Sequence, residues 1–253
     1  MSTPRFRLVD LPEATSTNTY ATSNVRPDAN NTPVVVITDN QTAGRGQRGN
    51  SWESQPGRNL TFSLVVFPVW MSPARQFELS MLVSVGIVNA LQKFTDTPEW
   101  FRVKWPNDIY FADRKIAGIL IENTIGSSAI ERSVIGIGLN VNQLQFVSDA
   151  PNPISLIHVT GLELDRKKIL DAVVESILDM IDTYADEPDV DQLTALYNSM
   201  LWRNDGRMHP WRLPDGQRLE AAIVGVAPDG RLSLVDSKGD VHTYLFKEIA
   251  AEL

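Results

Sequence analysis

Several short segments in the first half of the chain carry the hydrophobic pattern of β-strands. Residues 34–38 (VVVIT) form a plausible strand, and residues 59–64 (NLTFSL) alternate polar and apolar side chains. Alternation with period two is typical of a half-buried strand. The pattern predicts strands over 5–10, 34–38, 59–64, 101–105, 109–111, 115–122 and 133–139. A turn at Asp113-Arg114 would join the strands 109–111 and 115–122 into a hairpin.

Other segments follow the period of α-helices. Ser72-Pro73 predicts the start of a helix that runs to about Phe94, because proline is favoured in the first helical turn. Its apolar stripe indicates core packing. A second, amphipathic helix is predicted from Asp165 to Tyr184, and a shorter one after Pro188. The stripe residues of the first helix are Phe77, Met81, Val85, Val88 and Leu91.

Residues 15–20 (TSTNTY) form a cluster of hydroxyl and amide side chains. Such side chains predict a helix N-cap, since their oxygens satisfy free backbone N–H groups. The same groups can also hydrogen-bond a small polar ligand. Both interpretations can hold together, because exposed donors meet ligands at helix starts.

The character of the sequence changes at about residue 204. Turn residues at 214–216 (PDG), 228–230 (PDG) and 237–240 (SKGD) separate short alternating segments. This spacing is typical of hairpins in a small all-β barrel or sandwich. The sequence therefore predicts two domains, an α+β domain over residues 1–203 and a small β domain over residues 204–253.

Composition narrows the class of protein. Of the 253 residues, 43% are hydrophobic and 21% charged, as in ordinary globular proteins, and the formal net charge of −8 argues against a nucleic-acid-binding surface. No apolar run approaches the roughly 20 residues that span a bilayer, and the N-terminus lacks a signal-peptide core. We expect a cytoplasmic protein with no membrane and no nucleic-acid partner. The absence of cysteine excludes disulfides and thiolate chemistry, and the three histidines show no metal-ligand spacing.

A glycine–arginine loop lies between residues 39 and 52 (DNQTAGRGQRGNSW). Glycine allows close backbone approach and arginine supplies a fork of donors, so the loop is a candidate anion clamp. Residues 44–49 also satisfy the G-x-G-x-x-G fingerprint of dinucleotide-binding proteins. That interpretation requires a helix directly after the loop, and residues 50–57 (NSWESQPG) cannot open one. A solvated surface loop is the remaining alternative.

Four polar residues, Asn107, Asp108, Lys115 and Asn140, fall at the ends of predicted strands or in turns. Rigid sheets often carry functional groups at such places, although turns also use Asn and Asp for local reasons.

Four segments together resemble the catalytic domain of biotin–protein ligases, the biotin–[acetyl-CoA-carboxylase] ligases. They are residues 16–18 (STN), Gln41 with residues 44–52 (GRGQRGNSW), residues 104–108 (KWPND) and residues 115–122 (KIAGILIE). The resemblance covers nearly the whole chain. It implies an α+β fold with a mixed β-sheet and packed helices, as in class II synthetases, followed by a small SH3-like β-barrel.

The resemblance also implies the chemistry. Members of this family activate biotin with ATP and Mg²⁺ to biotinyl-5'-AMP, and then transfer biotin to one lysine of a biotin carboxyl carrier protein. Activation brings a carboxylate to a triphosphate, so cations are needed between two anions. Transfer needs a neutral lysine, whose pKa is ordinarily about 10.4, so a base is needed.

Roles for individual residues follow from the resemblance. The implied catalytic residues are Lys115 on the biotin carboxylate and α-phosphate, Arg45 in the closing loop, and Asp108 as the base. Trp52 is expected to stack on adenine, with simple loop anchoring as the alternative. The implied biotin pocket is Ser16, Thr17, Asn18, Gln41, Gly44, Arg45, Gly46, Lys115 and Gly118, and the implied nucleotide site is Arg48, Trp52, Lys104, Asn107 and Asn140. The sequence indicates no metal ligands.

One position departs from the family pattern. Many members carry two basic residues between the second and third loop glycines, and in this chain Gln47 stands in place of the first. A neutral glutamine donates weaker hydrogen bonds than a charged arginine, so we expect the loop to hold an adenylate less firmly.

Alternatives remain within and beyond the enzymes. A lipoate–protein ligase shares the fold and the adenylate chemistry. A DNA-binding regulator would need an N-terminal domain, and only 15 residues precede Ser16, so the short form is expected. A catalytically inactive binding protein would lack Lys115 or Asp108, and both are present. We expect a monomer or a homodimer.

Overall fold

A seven-stranded mixed β-sheet forms the centre of the first part of the chain. The computed structural model describes residues 5–46, 51–147 and 151–252. The strand order is β1-β2-β3-β7-β6-β5-β4, in which only the pairing of β1 with β2 is parallel. The strands are β1 (Arg7–Leu11), β2 (Val34–Thr38), β3 (Leu60–Val66), β4 (Phe101–Lys104), β5 (Asp108–Phe111), β6 (Arg114–Ile125) and β7 (Ile130–Leu139).

The two faces of this sheet differ in character. One face is apolar and is covered by α2 (Gln76–Leu91) and α4 (Arg166–Asp186), which also pack on each other. Alternate residues of β3 and β7, such as Phe62 and Ile137, enter this core. The opposite face carries a smaller apolar cluster only where α1 (Thr17–Asn24) covers it. The remainder of that face is left for polar groups.

Hydrogen bonds around buried Glu78 join α2 to α4. The Glu78 carboxylate accepts hydrogen bonds from Arg75 Nε at 2.9 Å and from the Tyr184 hydroxyl at 2.7 Å. Burial and this carboxylate raise the pKa of Tyr184 to about 12. Because Glu78 is only 3% exposed, its charge needs both partners.

The predicted helix over 72–94 is divided into three parts. A 3₁₀ turn at Pro73–Arg75 leads into α2, and a second 3₁₀ turn follows at Gln92–Phe94. The helix is also buried almost all round, beyond the predicted stripe, since α5 (Val190–Ser199) contacts it as well as α4. The short helix α3 (Leu156–Thr160) was not predicted, because five residues are too few for a periodic pattern.

A five-stranded antiparallel sheet forms the last part of the chain, with order β11-β10-β9-β8-β12. Its turns fall at the three turn segments predicted from the sequence. Its strands are β8 (His209–Arg212), β9 (Arg218–Val226), β10 (Leu232–Asp236), β11 (Val241–Tyr244) and β12 (Ala250–Ala251).

The second sheet is docked on the first part of the chain through one of its turns. Gly230, at φ +90°, lies so close to the Phe77 ring of α2 that a Cβ there would be 2.6 Å from Cδ2. The Gly230 carbonyl accepts a hydrogen bond from Trp105 Nε1 at 2.9 Å. Asn198 of α5 exchanges two hydrogen bonds with the Val226 backbone. Among the described residues, no helix is long and apolar enough to cross a membrane.

Candidate functional site

A cavity of about 230 Å³ opens on the polar face of the seven-stranded sheet. It extends from β3 and β7, beside the N-terminus of α1, to β5 and β4. Most of the residues implied by the resemblance meet there, although they come from separate segments. Those that line it are Ser16, Thr17, Asn18, Gln41, Arg45, Gly46, Trp52, Lys104, Asn107, Asp108, Lys115 and Gly118.

The hydroxyl and amide side of the cavity is organised by the start of α1. Ser16 is the N-cap, as the sequence predicted, and its Oγ accepts from the Thr19 amide at 3.4 Å. The Gln41 Oε1 accepts from the Thr17 amide at 3.0 Å. Buried Ser63 Oγ lies 2.8 Å from Thr17 Oγ1. These side chains are therefore held in place by one another.

Asn18 fits against a strand that has no side chain at the point of contact. A Cβ on Gly136 would overlap Asn18 Oδ1. The Asn18 Nδ2 donates to Glu122 Oε2 at 2.7 Å, and its Oδ1 accepts from Ser63 at 2.6 Å. Asn18 thus connects α1, β3 and β6.

Arg45 reaches across the mouth of the cavity from the glycine–arginine loop. Its Nη2 donates to Thr19 Oγ1 at 3.2 Å and lies 3.5 Å from Glu122 Oε1. Its side chain is about half exposed, with 52% of its surface accessible, so this ion pair adds little stability and can exchange partners.

Glycines close the base of the same loop. The Gly44 carbonyl accepts from the Trp52 amide at 3.0 Å, and a Cβ on Gly44 would lie 2.7 Å from Trp52 O. Gly44 does not itself line the cavity, whereas Gly46 does. Gln47 and Arg48 lie outside the described residues, so the roles expected for them stay predictions.

A β-bulge aims Lys115 at the cavity. In the pairing of β5 with β6, Asp108 lies opposite Gly118 and Tyr110 lies opposite Lys115, so the register shifts by one residue. In a regular strand, side chains three residues apart point to opposite faces. The extra residue, Ile116, returns Lys115 to the face that Gly118 occupies.

Asp108 and two lysines form a charged cluster at the β4–β5 side of the cavity. Lys115 Nζ lies 2.6 Å from Asp108 Oδ1, and Lys104 stands directly opposite Asp108 in the β4–β5 pairing. Lys104 Nζ also lies 5.3 Å from the centre of the buried Tyr110 ring. Burial lowers the pKa of Lys104, and the Asp108 charge opposes that shift. Burial also raises the pKa of Tyr110.

The Trp52 side chain lies on a floor made by two glycines. A Cβ on Gly138 would overlap Trp52 Cε2, and one on Gly118 would lie 3.1 Å from Cζ3. Lys115 Nζ lies 5.7 Å from the centre of the same ring. The indole N–H is buried and meets no acceptor among the described residues. The ring therefore contacts the cavity floor directly, and its stacking on adenine stays a prediction.

We expect Gly138→Ala to weaken ligand binding about tenfold, because the added methyl must displace the Trp52 ring from the floor. Binding of biotin and of ATP, measured by calorimetry, checks this. The control is a Trp52→Ala background, in which the methyl has room. If Gly138→Ala costs as much there as in the parent, the collision with Trp52 is not the cause.

Two of the implied nucleotide residues are engaged with the backbone. Asn107 Nδ2 donates to the Ile119 carbonyl at 2.7 Å, although Asn107 still lines the cavity. Asn140 is buried, its Nδ2 donates to the Ile154 carbonyl at 3.0 Å, and it does not line the cavity. The structure brings Asn107 to the site and leaves Asn140 beside it.

Several cavity residues were missed from the sequence. Gly136 and Gly138 alternate on β7, and this period-two glycine pattern was a signal for an open face on that strand. Ser63 and Glu122, which do not line the cavity but hold Asn18, gave no signal of their own. Phe246, from the loop between β11 and β12, lines the cavity beside Trp105, and their ring centres are 6.2 Å apart.

The histidines lie away from the cavity. His209 and His242 contact Asp205 and Asp236 at 2.9 and 3.1 Å, and His158 belongs to the capping box of α3. Within residues 5–46, 51–147 and 151–252, no group of three or more His, Asp or Glu side chains could hold a metal ion.

The fold and the cavity define this chain as an α+β protein with a ligand-binding face on a mixed sheet. Residues 11–140 match the model of the biotin/lipoate A/B protein ligase family, which is just over half of the chain. The chain belongs to this family.

Individual relatives agree with that assignment. The bifunctional ligase/repressor BirA of Salmonella typhimurium is 31% identical over 178 residues, which cover 70% of this chain and 54% of that protein. This chain thus spans about half the length of that relative. The biotin–[acetyl-CoA-carboxylase] ligase of Mycobacterium tuberculosis is 29% identical over 249 residues, covering 93% of this chain and 89% of that protein.

The structure also resembles a solved ligase. The biotin protein ligase from Aquifex aeolicus, in complex with biotin and ATP, superposes with a TM-score of 0.79. The match is 25% identical in sequence and covers 97% of this chain and 98% of that one. The similarity includes both sheets, so the predicted α+β architecture is confirmed.

Proposed function

We propose that this chain activates biotin with ATP to biotinyl-5'-AMP and transfers biotin to a lysine of a biotin carboxyl carrier domain. The observation that carries the proposal is one cavity in which hydroxyl and amide groups on the β3–β7 side face Lys115 and Asp108 on the β5 side. The hydroxyl and amide groups suit a neutral ureido ring, Lys115 suits the reacting anions, and Asp108 suits the attacking amine. The names of the relatives support the same activity.

In the first step, the biotin carboxylate attacks the α-phosphorus of ATP and pyrophosphate leaves. The Lys115 ammonium lowers the repulsion between the two anions. Arg45 exchanges Glu122 and Thr19 for the ligand anion as the loop closes. Arg48, Trp52 and Asn107 are the proposed nucleotide contacts, with buried Asn140 beside them.

In the second step, the carrier lysine attacks the acyl carbon of the adenylate and AMP leaves. Its ammonium must first lose a proton, and Asp108 is the proposed acceptor. Asp108 is the only carboxylate among the described residues that line the cavity.

Magnesium would arrive with the triphosphate. Mg²⁺ prefers phosphate and water oxygens with one or two carboxylates, so it needs no protein cage. The described residues fit that mode, since no group of three or more His, Asp or Glu side chains among them forms a cage for the ion. The ion would add positive charge at the phosphates.

Lipoate is the alternative substrate, because the family includes lipoate ligases. Lipoate has no ureido ring, so it would place no polar ring group against Thr17, Asn18 and Gln41. Such a loss is a strong basis for discrimination.

The decisive experiment is exchange of labelled pyrophosphate into ATP, which reports formation of an acyl-adenylate. We expect exchange that depends on biotin and Mg²⁺. Exchange with lipoate but not with biotin would overturn the substrate, and exchange with neither acid would overturn the activity.

We also propose a division of the chain into a catalytic domain over 1–203 and a C-terminal domain over 204–253. The support is that the two sheets share no strand among the described residues. An SH3-like barrel is the proposed finer form of the second sheet. The proposed setting is the cytoplasm, where ATP is available, for a monomer or homodimer with no nucleic-acid partner.

A further inference from the structure

Asp108 faces a lysine on each of its two neighbouring strands. On β6, Lys115 Nζ lies 2.6 Å from its Oδ1. On β4, Lys104 is its directly opposed cross-strand residue, and directly opposed side chains stand about 4.5–5.5 Å apart at Cβ. The side chain of Asp108 is 17% exposed, so its carboxylate depends on these neighbours more than on water.

The proposed reaction gives Lys115 a second task. When biotin and ATP meet, the Lys115 ammonium turns to the acyl and phosphate oxygens, so its single positive charge is shared between these oxygens and Asp108, which it contacts at 2.6 Å. Asp108 must nevertheless stay ionised, because only the carboxylate can accept the proton of the carrier lysine.

We propose that Lys104 is a positioning residue that takes over as the counter-ion of Asp108 when Lys115 turns to the reactants. This inference rests on the proposed function and deepens it, because it assigns Lys104 to the transfer step rather than to the nucleotide.

The surroundings of Lys104 suit a fixed cation. Its half-buried side chain lies over the Tyr110 ring, and the charged groups that face it are Asp108, Lys115 and Arg203. Burial is the main cause that lowers the pKa of Lys104, the Asp108 charge opposes it, and the Lys115 charge lowers the pKa further. Withdrawal of Lys115 removes that repulsion, so Lys104 holds its proton more firmly at the moment when Asp108 needs a partner.

The test compares Lys104→Met, which removes the charge, with Lys104→Arg, which keeps a charge but cannot act as a base. Transfer from preformed biotinyl-adenylate to a purified carrier domain is measured across pH, beside pyrophosphate exchange. In Lys104→Met we expect the ratio of the transfer rate to the exchange rate to fall about tenfold. We also expect the acid limb of the pH profile of transfer to move up by about one pH unit. Lys104→Arg should restore most of the loss. Exposed Lys93→Met is the control.

Three outcomes would overturn the proposal. If Lys104→Arg loses transfer, the Lys104 amine itself is the proton acceptor. Loss of exchange with a raised KM for ATP in Lys104→Met makes Lys104 a nucleotide ligand. An unchanged ratio in Lys104→Met gives it no part in transfer.

Thermal unfolding tests the same pairing without any assay of activity. If either lysine alone can act as the counter-ion of Asp108, the double variant Lys104→Met with Lys115→Ala should lower Tm by at least about 2 °C more than the sum of the shifts of the single variants. Additive shifts would refute the shared pairing even if the chain exchanges pyrophosphate normally. If the parent shows no biotin-dependent exchange but the Tm shifts are non-additive, the proposed function is rejected and the shared pairing is kept.

Discussion

Lys115→Ala should reduce adenylate formation by roughly 10²–10³-fold, the usual cost of removing one preorganised group that stabilises charge in a transition state. The bulge in β6 gives Lys115 a defined direction. Alanine leaves the two reacting anions without this cation. Single-turnover formation of biotinyl-adenylate measures the effect.

Two controls separate this effect from a general loss of charge. Lys168→Ala removes an exposed lysine on α4, far from the cavity, and should leave adenylation unchanged. Lys115→Arg keeps the charge with a different geometry and should recover only part of the rate. If adenylation by Lys115→Ala stays within about threefold of the parent, another group supplies the electrostatic stabilisation.

Much of the first sheet could be predicted because each strand carries its own signal. The alternation in 59–64 and 101–105 places apolar side chains toward α2 and α4, and both segments are strands in the structure. The turns near 215, 229 and 238 also fall where glycine, proline and aspartate predicted them. These are local effects, which a sequence pattern expresses directly.

The bulge at Ile116 could not be predicted in this way. It depends on how β6 pairs with β5, and a period-two pattern alone would have pointed Lys115 away from Gly118. The resemblance to a known family implied a role for Lys115 at the site, but it did not explain how the strand turns this side chain toward the cavity. The bulge at Ile116 explains it.

The contact of the second sheet with the first part of the chain could also not be predicted from the sequence. The segment 228–230 predicted only a turn, yet Gly230 packs on Phe77 and accepts from Trp105. Such a contact joins residues more than a hundred positions apart. Because Trp105 lies between Lys104 and the Asn107–Asp108 pair, this contact ties the second sheet to the charged side of the cavity.

Asp108→Asn should leave adenylate formation working and slow transfer to the carrier lysine by roughly 10²–10⁴-fold at neutral pH, the usual contribution of a general base. Asparagine keeps the size of the side chain but cannot accept a proton. The change also removes the ion pair with Lys115, so Lys115 becomes freer to meet the reacting anions in the first step.

The direction in which the transfer rate of Asp108→Asn changes with pH follows from the loss of the carboxylate. Without the carboxylate, the carrier lysine must lose its proton to solvent, so the fraction of free amine rises about tenfold per pH unit below its pKa of about 10.4. Transfer by Asp108→Asn should therefore climb with pH and approach the parent rate in alkali. Exposed Asp96→Asn is the control and should follow the parent profile. Transfer by Asp108→Asn at the parent rate, with the parent pH profile, would remove Asp108 from the role of base.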